Sequence, residues 1–292
     1  MTDRYAVFGN PVAHSKSPRI HALFSRQTGQ DISYEALLAP LDGFAAAVRA
    51  FAAAGGRGAN VTVPFKEEAY RIATQLTPRA QAAGAVNTLS FADHGGVIAG
   101  DNTDGDGLVR DLEANLGCDI TDKRVLLLGA GGAARGAILP LLQEAPAELF
   151  IANRTAEKAA RLALEFRRVL EQRQPEVAHL ATGAALPEGG GFDELAGRRF
   201  DLVINATAAG LAEAALPLPP DIYAPASLAY EMLYGRETPF MAQARDSGAG
   251  RVADGLGMLV EQAAEAFFVW RQVRPATGPV LLAMRAVPPP GR

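Results

Sequence analysis

Residues 125–134 read Val125-Leu126-Leu127-Leu128-Gly129-Ala130-Gly131-Gly132-Ala133-Ala134. Four apolar residues make a buried strand, and the glycine turn leads into an alanine- and leucine-rich helix reaching about Gln143. Gly129, Gly131 and Ala134 fit the G-x-G-x-x-[GA] fingerprint. In that fingerprint glycines allow a tight turn and close backbone approach, while the helix N-terminus attracts a pyrophosphate. A lone match is also compatible with a mere tight turn. Here the strand before it, the helix after it and a further strand at 149–152 supply the context of a dinucleotide site. An NAD site places a carboxylate at the end of that further strand to bind the ribose 2′-hydroxyl. This chain has Asn153-Arg154-Thr155 instead, with Lys158 one helical turn later. Two cations and a hydroxyl suit a 2′-phosphate, which favours NADP over NAD. In the alternative reading Thr155 is a plain N-cap, and Arg154 and Lys158 are solvated.

Outward from this unit, short β-branched runs alternate with longer alanine- and leucine-rich stretches, the pattern of α/β architecture with a parallel sheet. Strands are expected at 5–9, 33–38, 60–63, 86–89, 97–99, 202–205 and 228–232. Helices are expected at 17–28, 42–54, 64–74, 106–116, 257–273 and 279–285. Ser17 is a good N-cap there, and Pro18 suits the first helical position. The polar stretch 172–197, with Gly189-Gly190-Gly191, reads as a surface excursion, and Pro288-Pro289-Pro290 as a disordered tail. A chain of 292 residues is long enough for about two domains. Its net charge of −4 argues against a nucleic-acid binder. No run of about 18 apolar residues occurs, so no membrane span is expected, and the N-terminus lacks a leader's apolar stretch. The single cysteine, Cys118, excludes an internal disulfide and suits the reducing cytoplasm.

Several stretches outside the glycine turn can carry chemistry. Lys66 follows Pro64-Phe65 in the first turn of a helix, where a cation opposes the helix dipole at a cost of a few tenths of a kcal/mol. That local conflict points to function, against the plainer reading of a surface lysine. Gly100-Asp101-Asn102-Thr103-Asp104-Gly105 fails the spacing of a calcium loop. It is either an Asx turn with Asp104 capping the next helix, or a carboxylate aimed into a cleft. Gln262 sits on an otherwise apolar helix face with Met258, Leu259, Ala266 and Val269, and its amide needs a partner there. His14, His21, His94 and His179 show no zinc-binding spacing, so no metal site is expected.

Together these motifs resemble shikimate dehydrogenase over nearly the whole chain. The matching segments run Tyr5-Ala-Val-Phe-Gly-Asn-Pro-Val-Ala-His-Ser-Lys-Ser17-Pro18, Asn60-Val-Thr-Val-Pro-Phe-Lys66-Glu, Gly84-Ala-Val-Asn87-Thr88, Gly100-Asp-Asn-Thr-Asp104-Gly, the Gly129 turn, Asn153-Arg-Thr, Asn205-Ala-Thr and Asp254-Gly-Leu-Gly-Met-Leu259. The resemblance implies two α/β domains flanking a cleft, the second a Rossmann-type dinucleotide-binding domain. Residues 1–104 plus 258–292 would form the substrate-binding catalytic domain, and 105–257 the NADP-binding domain. It implies reversible hydride transfer between NADPH and 3-dehydroshikimate, giving shikimate in aromatic amino-acid (chorismate) biosynthesis, by a cytoplasmic monomer or homodimer.

By the same resemblance, Lys66 and Asp104 are the catalytic pair. Ser15 and Ser17 bind the substrate carboxylate, Thr62, Asn87 and Gln262 hold ring hydroxyls, and Tyr234 lies near the cleft. On the cofactor side it implies Gly129, Ala130, Gly131, Gly132, Ala133, Asn153, Arg154, Thr155, Lys158 and Thr207, with Gly257 near the nicotinamide. Three features depart from the family pattern: Ala208-Ala209, Glu231 in place of a more usual Asp, and a longer stretch after Arg167. Two alternatives are a quinate (or related-acid) dehydrogenase using NAD or NADP, and a non-catalytic ligand sensor. Ser17 and Arg154 speak against the first, and an intact Lys66–Asp104 pair against the second.

Overall fold

The computed structural model describes residues 2–172, 185–207 and 215–286. His179, Ala208-Ala209, Pro288-Pro289-Pro290 and residues 173–184 of the polar stretch lie outside the described residues. The chain divides into two compact units, Met1–Gly107 with Leu259–Arg292, and Leu108–Met258.

In the first unit, strands β1 (Asp3–Gly9), β2 (Ile32–Leu38), β3 (Gly56–Val61), β4 (Gln75–Leu76), β5 (Thr88–Ala92) and β6 (Val97–Asp101) form one sheet in the order β2-β1-β3-β5-β6-β4. β1 pairs parallel with β2 and β3, but β5 runs antiparallel to both β3 and β6. The sheet is therefore mixed, where the alternation of elements suggested a parallel one. β5 and β6 are joined by a tight turn with left-handed backbone at Asp93, His94 and Gly95. So short a connection cannot make a parallel crossover.

Helices α1 (Ser17–Thr28), α2 (Phe44–Ala53), α3 (Lys66–Ile72), α4 (Pro78–Ala83) and α5 (Asp104–Arg110) intervene between or follow these strands. The apolar faces of α2 and α3 pack Phe44, Phe51, Phe65 and Ala69 with Phe8, Val61, Leu89 and Ile98 of the sheet, and Phe44 stacks on Phe65 at 4.7 Å. Ser17 is not the N-cap: it is the first helical residue, and Lys16 stands at the cap with no side-chain cap bond. The Ser17 N–H instead donates to Ser15 Oγ at 3.3 Å.

The second unit holds β7 (Arg124–Leu128), α6 (Gly132–Gln143), β8 (Glu148–Ala152), α7 (Ala156–Gln172), β9 (Glu188–Gly190), β10 (Phe200–Asn205), β11 (Tyr223–Glu231), α8 (Pro239–Asp246) and β12 (Arg251–Asp254). All pairings are parallel, in the order β12-β11-β10-β7-β8-β9. β7 lies inside the sheet with Val125 to Leu128 fully buried, as a strand covered on both faces requires. Part of the supposed surface excursion is ordered: β9 extends the sheet beside β8, and Phe192 and Leu195 just after it pack onto the core.

The long helix α9 (Leu256–Arg271) and α10 (Thr277–Arg285) close the chain. Trp270 of α9 stacks on Tyr5 at 4.6 Å and donates from Nε1 to the Leu89 carbonyl at 3.0 Å, so α9 packs onto the first unit's sheet. Among the described residues no helix is long and apolar enough to cross a membrane.

Candidate active site

Lys66 is the first residue of α3, and β3 with the Thr62–Phe65 turn delivers it there; the Phe65 N–H donates to the Thr62 carbonyl at 3.0 Å. Asp104 is the first residue of α5, and its N–H donates to Asn102 Oδ1 at 3.2 Å. Asn102, not Asp104, therefore makes the Asx turn. The Asp104 carboxylate is left for other partners: Lys66 Nζ donates to its Oδ2 at 2.5 Å, and Asn87 Nδ2 to its Oδ1 at 2.8 Å. The lysine side chain is 22% exposed and the aspartate 9%, so the pair opens to solvent on the lysine side. An ammonium carries three N–H donors. One is held by Asp104, and the geometry suits the others for a substrate oxygen.

Asn87 is the hub of a buried polar network. Its Nδ2 also reaches Thr103 Oγ1 at 3.0 Å and Gln262 Oε1 at 3.3 Å, and its Oδ1 accepts from the Thr103 N–H at 2.8 Å and from Thr88 Oγ1 at 2.9 Å. These acceptor contacts fix which end of the amide faces Asp104. Gln262 thus finds the partner its apolar face demanded, and its Nε2 donates to the Leu259 carbonyl at 2.8 Å. Its approach depends on Gly107, because a Cβ there would lie 2.6 Å from the Gln262 backbone nitrogen. Asn60 continues the network, donating to Thr88 Oγ1 at 3.1 Å and accepting from the Tyr34 hydroxyl at 2.8 Å. Tyr34 also engages Ser17, and burial holds its phenol well above the usual tyrosine range. The buried Ser17 and half-buried Ser15 stand at the N-terminus of α1, whose first turn has no acidic residue, a place suited to an anion. Thr62 is half-buried at the end of β3.

The sequence-based expectations missed Tyr34, Asn60, Thr88 and Thr103. For Asn60, near the C-terminal end of β3, and Thr103, just after β6, the available signal was a polar residue where ligands bind in α/β sheets; Tyr34 inside β2 and Thr88 at the start of β5 carried no such signal. Behind the network lies a charged cluster, also missed. Arg79 on α4 donates to Asp101, Asp106 and Glu265, and Arg274 donates to Glu265. Burial works to raise the Asp101 pKa, but the bonds and charge of Arg79 prevail and hold it below the usual range.

In the second unit the glycine turn has the anticipated form. Gly129 adopts φ +110°, a conformation that favours glycine, and its N–H donates to the Ala152 carbonyl at 2.7 Å. A Cβ added at Gly131 or Gly132 would meet nothing within 4 Å, and α6 begins with neither an acidic residue nor a side-chain cap. Ala130 and Ala133 flank that open helix end and are half-buried. Asn153, at the end of β8, donates to the Thr155 carbonyl at 3.0 Å, while Arg154, Thr155 and Lys158 are exposed. Among the described residues neither Arg154 nor Lys158 forms an ion pair. An uncapped helix end, an open glycine turn and two uncommitted cations fit a phosphorylated dinucleotide.

Beside the turn, Thr207 donates to Asn205 Oδ1 through both its N–H and its hydroxyl, at 3.1 and 2.7 Å. Asn205 in turn donates to Glu231 Oε2 at 2.7 Å. Glu231 is fully buried, accepts from Thr238 and the Leu233 N–H as well, and has its pKa raised by burial. Tyr234 is half-buried in the turn after β11, where burial raises its phenol, and Gly257 lies in the first turn of α9 against Asp111. Lys66, Asp104, Asn87 and Gln262 are thus brought into contact, and Ser17 is joined to them through Tyr34 and Asn60. Tyr234, Gly257 and the glycine-turn residues belong to the other unit.

Three family descriptions match in succession: shikimate dehydrogenase substrate binding domain over residues 7–89, shikimate/quinate 5-dehydrogenase over 111–182, and shikimate 5′-dehydrogenase C-terminal domain over 255–285. A shikimate dehydrogenase (NADP(+)) from Dechloromonas aromatica is 62% identical over 287 residues, covering 98% of each chain. One from Methylobacillus flagellatus is 58% identical, covering 97% of this chain and 99% of the relative. Among solved structures, the shikimate 5-dehydrogenase of Thermus thermophilus in complex with NADP(H) and shikimate superposes with a TM-score of 0.80 at 32% identity, covering 97% of this chain and 99% of the other.

Proposed function

The chain belongs to the shikimate dehydrogenase family, and from that membership we infer that it reversibly transfers a hydride between NADPH and 3-dehydroshikimate, giving shikimate in aromatic amino-acid biosynthesis. It is an NADP-dependent oxidoreductase. The observation that carries the chemistry is the Lys66–Asp104 pair at 2.5 Å, open to solvent on the lysine side.

We assign the first unit to the substrate and the second to the cofactor. Lys66 gives a proton to the carbonyl oxygen as the ketone is reduced, and takes it back in the reverse direction. Asp104 aims the ammonium and accepts from a substrate hydroxyl. Ser15 and Ser17 hold the carboxylate at the N-terminus of α1. Thr62, Asn87 and Gln262 select the ring hydroxyls, and Tyr234 is the one second-unit residue we also assign to the substrate. NADPH, when bound, supplies the hydride. Gly129, Ala130, Gly131, Gly132 and Ala133 hold its pyrophosphate, and Asn153, Arg154, Thr155 and Lys158 its adenosine 2′-phosphate. Thr207 and Gly257 flank the nicotinamide. We place the enzyme in the cytoplasm, as a monomer or homodimer acting on small molecules.

Following nicotinamide absorbance with shikimate or quinate, each paired with NADP or NAD, tests this reading. Shikimate with NADP is expected to be the best pair by kcat/KM. Equal or better turnover of quinate, or of NAD, overturns the assignment.

A further inference from the structure

We propose that Arg79 is a positioning residue for the dehydrogenase reaction, holding the Asp104 turn and the helix bearing Gln262 in a single arrangement. This rests on the function proposed above. Four carboxylates, Asp101, Asp104, Asp106 and Glu265, crowd the start of α5 and the adjoining face of α9. Arg79 engages three of them. Its Nε and one terminal nitrogen grip Asp101 at 2.7 and 2.6 Å, the other terminal nitrogen meets Asp106, and both terminal nitrogens reach Glu265 at 3.3 Å. The guanidinium thereby leaves Asp104 as the one carboxylate of the group that faces Lys66.

Each partner of Arg79 leads to a group that touches substrate. Asp101 and Asp106 stand on either side of Asp104 in the chain, and the Asp101 carbonyl accepts the Asn87 N–H at 3.0 Å. Glu265 lies one turn beyond Gln262 on α9 and is only 7% exposed. Thr77 adds a hydrogen bond to Asp101 at 2.6 Å, and Arg274 neutralises the far oxygen of Glu265 at 2.6 Å. Only a planar fork can span three carboxylates in this way, so lysine is not a substitute. Because Arg79 belongs to the first unit, its loss acts on the substrate side.

Arg79→Gln is expected to lower kcat about tenfold and raise the shikimate KM about tenfold, leaving the NADP KM within about twofold. Arg79→Lys is expected to recover little of the loss. Glu265→Gln keeps the grip of Arg79 on Asp101 and Asp106 and loosens its tie to α9, together with the Arg274 pair. It is expected to raise the shikimate KM about threefold or more, with the NADP KM unchanged. That variant decides the matter if Arg79→Gln does not fold. An unchanged shikimate KM in Glu265→Gln, full recovery in Arg79→Lys, or an equal rise in the KM for both substrates overturns the proposal. An inactive wild type would instead overturn the functional reading itself.

Discussion

Acidification from pH 7 to pH 5 removes stability through His21. Its imidazole is fully buried in α1, stacked on Tyr34 at 4.1 Å and bordered by Phe24, Phe267 and Trp270. Neither ring nitrogen makes a well-formed hydrogen bond, although the Asn60 side chain lies near enough to offset part of the cost of burial. Burial lowers its pKa from 6.5 to about 3. The unfolded chain thus binds a proton that the folded chain refuses. The stability this represents is fully present above about pH 6.5 and is lost as the pH falls toward 3. Linkage gives a loss of about 2 kcal/mol between pH 7 and pH 5. That corresponds to a Tm shift of about 5 °C for a unit of this size. Carboxylates titrate in the same window, so the comparison must be internal. His21→Phe keeps the stack on Tyr34 and has no proton to accept. Thermal melts of both proteins at the two pH values isolate the histidine, because contributions from other groups cancel. The Tm difference between them should move by about 5 °C in favour of the variant at pH 5. A difference that stays constant would show that His21 does not resist protonation, and the burial reasoning would fail with it.

Three further outcomes are expected. Lys66→Ala should lower kcat by about a hundredfold or more with little change in shikimate affinity, since a proton-transfer group is lost and the hydroxyl ligands remain. Turnover at the wild-type rate would remove Lys66 from the mechanism. Arg154→Ala should raise the KM for NADP far more than that for NAD, and steady-state titrations in which both rise equally would refute the 2′-phosphate assignment. Glu231→Ala should destabilise the protein by about 3 kcal/mol, because Asn205, Thr238 and the Leu233 N–H lose their buried acceptor. Chemical denaturation with no midpoint shift would contradict that role.

What could be read in advance follows the range of the interactions involved. The run from Val125 to Ala134 carries its own strand, turn and helix signals, so its structure is legible locally. Lys66 at the start of a helix is legible because it violates a local electrostatic preference. The mixed order of the first sheet was not, since short strands at 88–92 and 97–101 look the same whether parallel or antiparallel until the tight turn between them is recognised. Thr77-Pro78 and Thr238-Pro239 announce helices by cap chemistry. Each side chain accepts the expected N–H, from Ala80 and Met241. Both helices are so short that no apolar periodicity drew attention to them. The partners of Arg79 had no readable signal at all: Glu265 is 186 residues away, and only the fold brings them together.

The first unit is assembled from both ends of the chain, with Trp270 stacked on Tyr5 and Arg271 paired with Asp3. During synthesis the ribosome therefore delivers the middle unit complete, while its older neighbour waits for α9 and α10 to emerge. A stop codon or stalled ribosome near residue 258 would release a nascent product that contains the whole second unit and whose first unit lacks Gln262, Glu265 and Trp270. Quality control would meet such fragments with the aromatic side of that sheet uncovered, a natural target for chaperones or proteases.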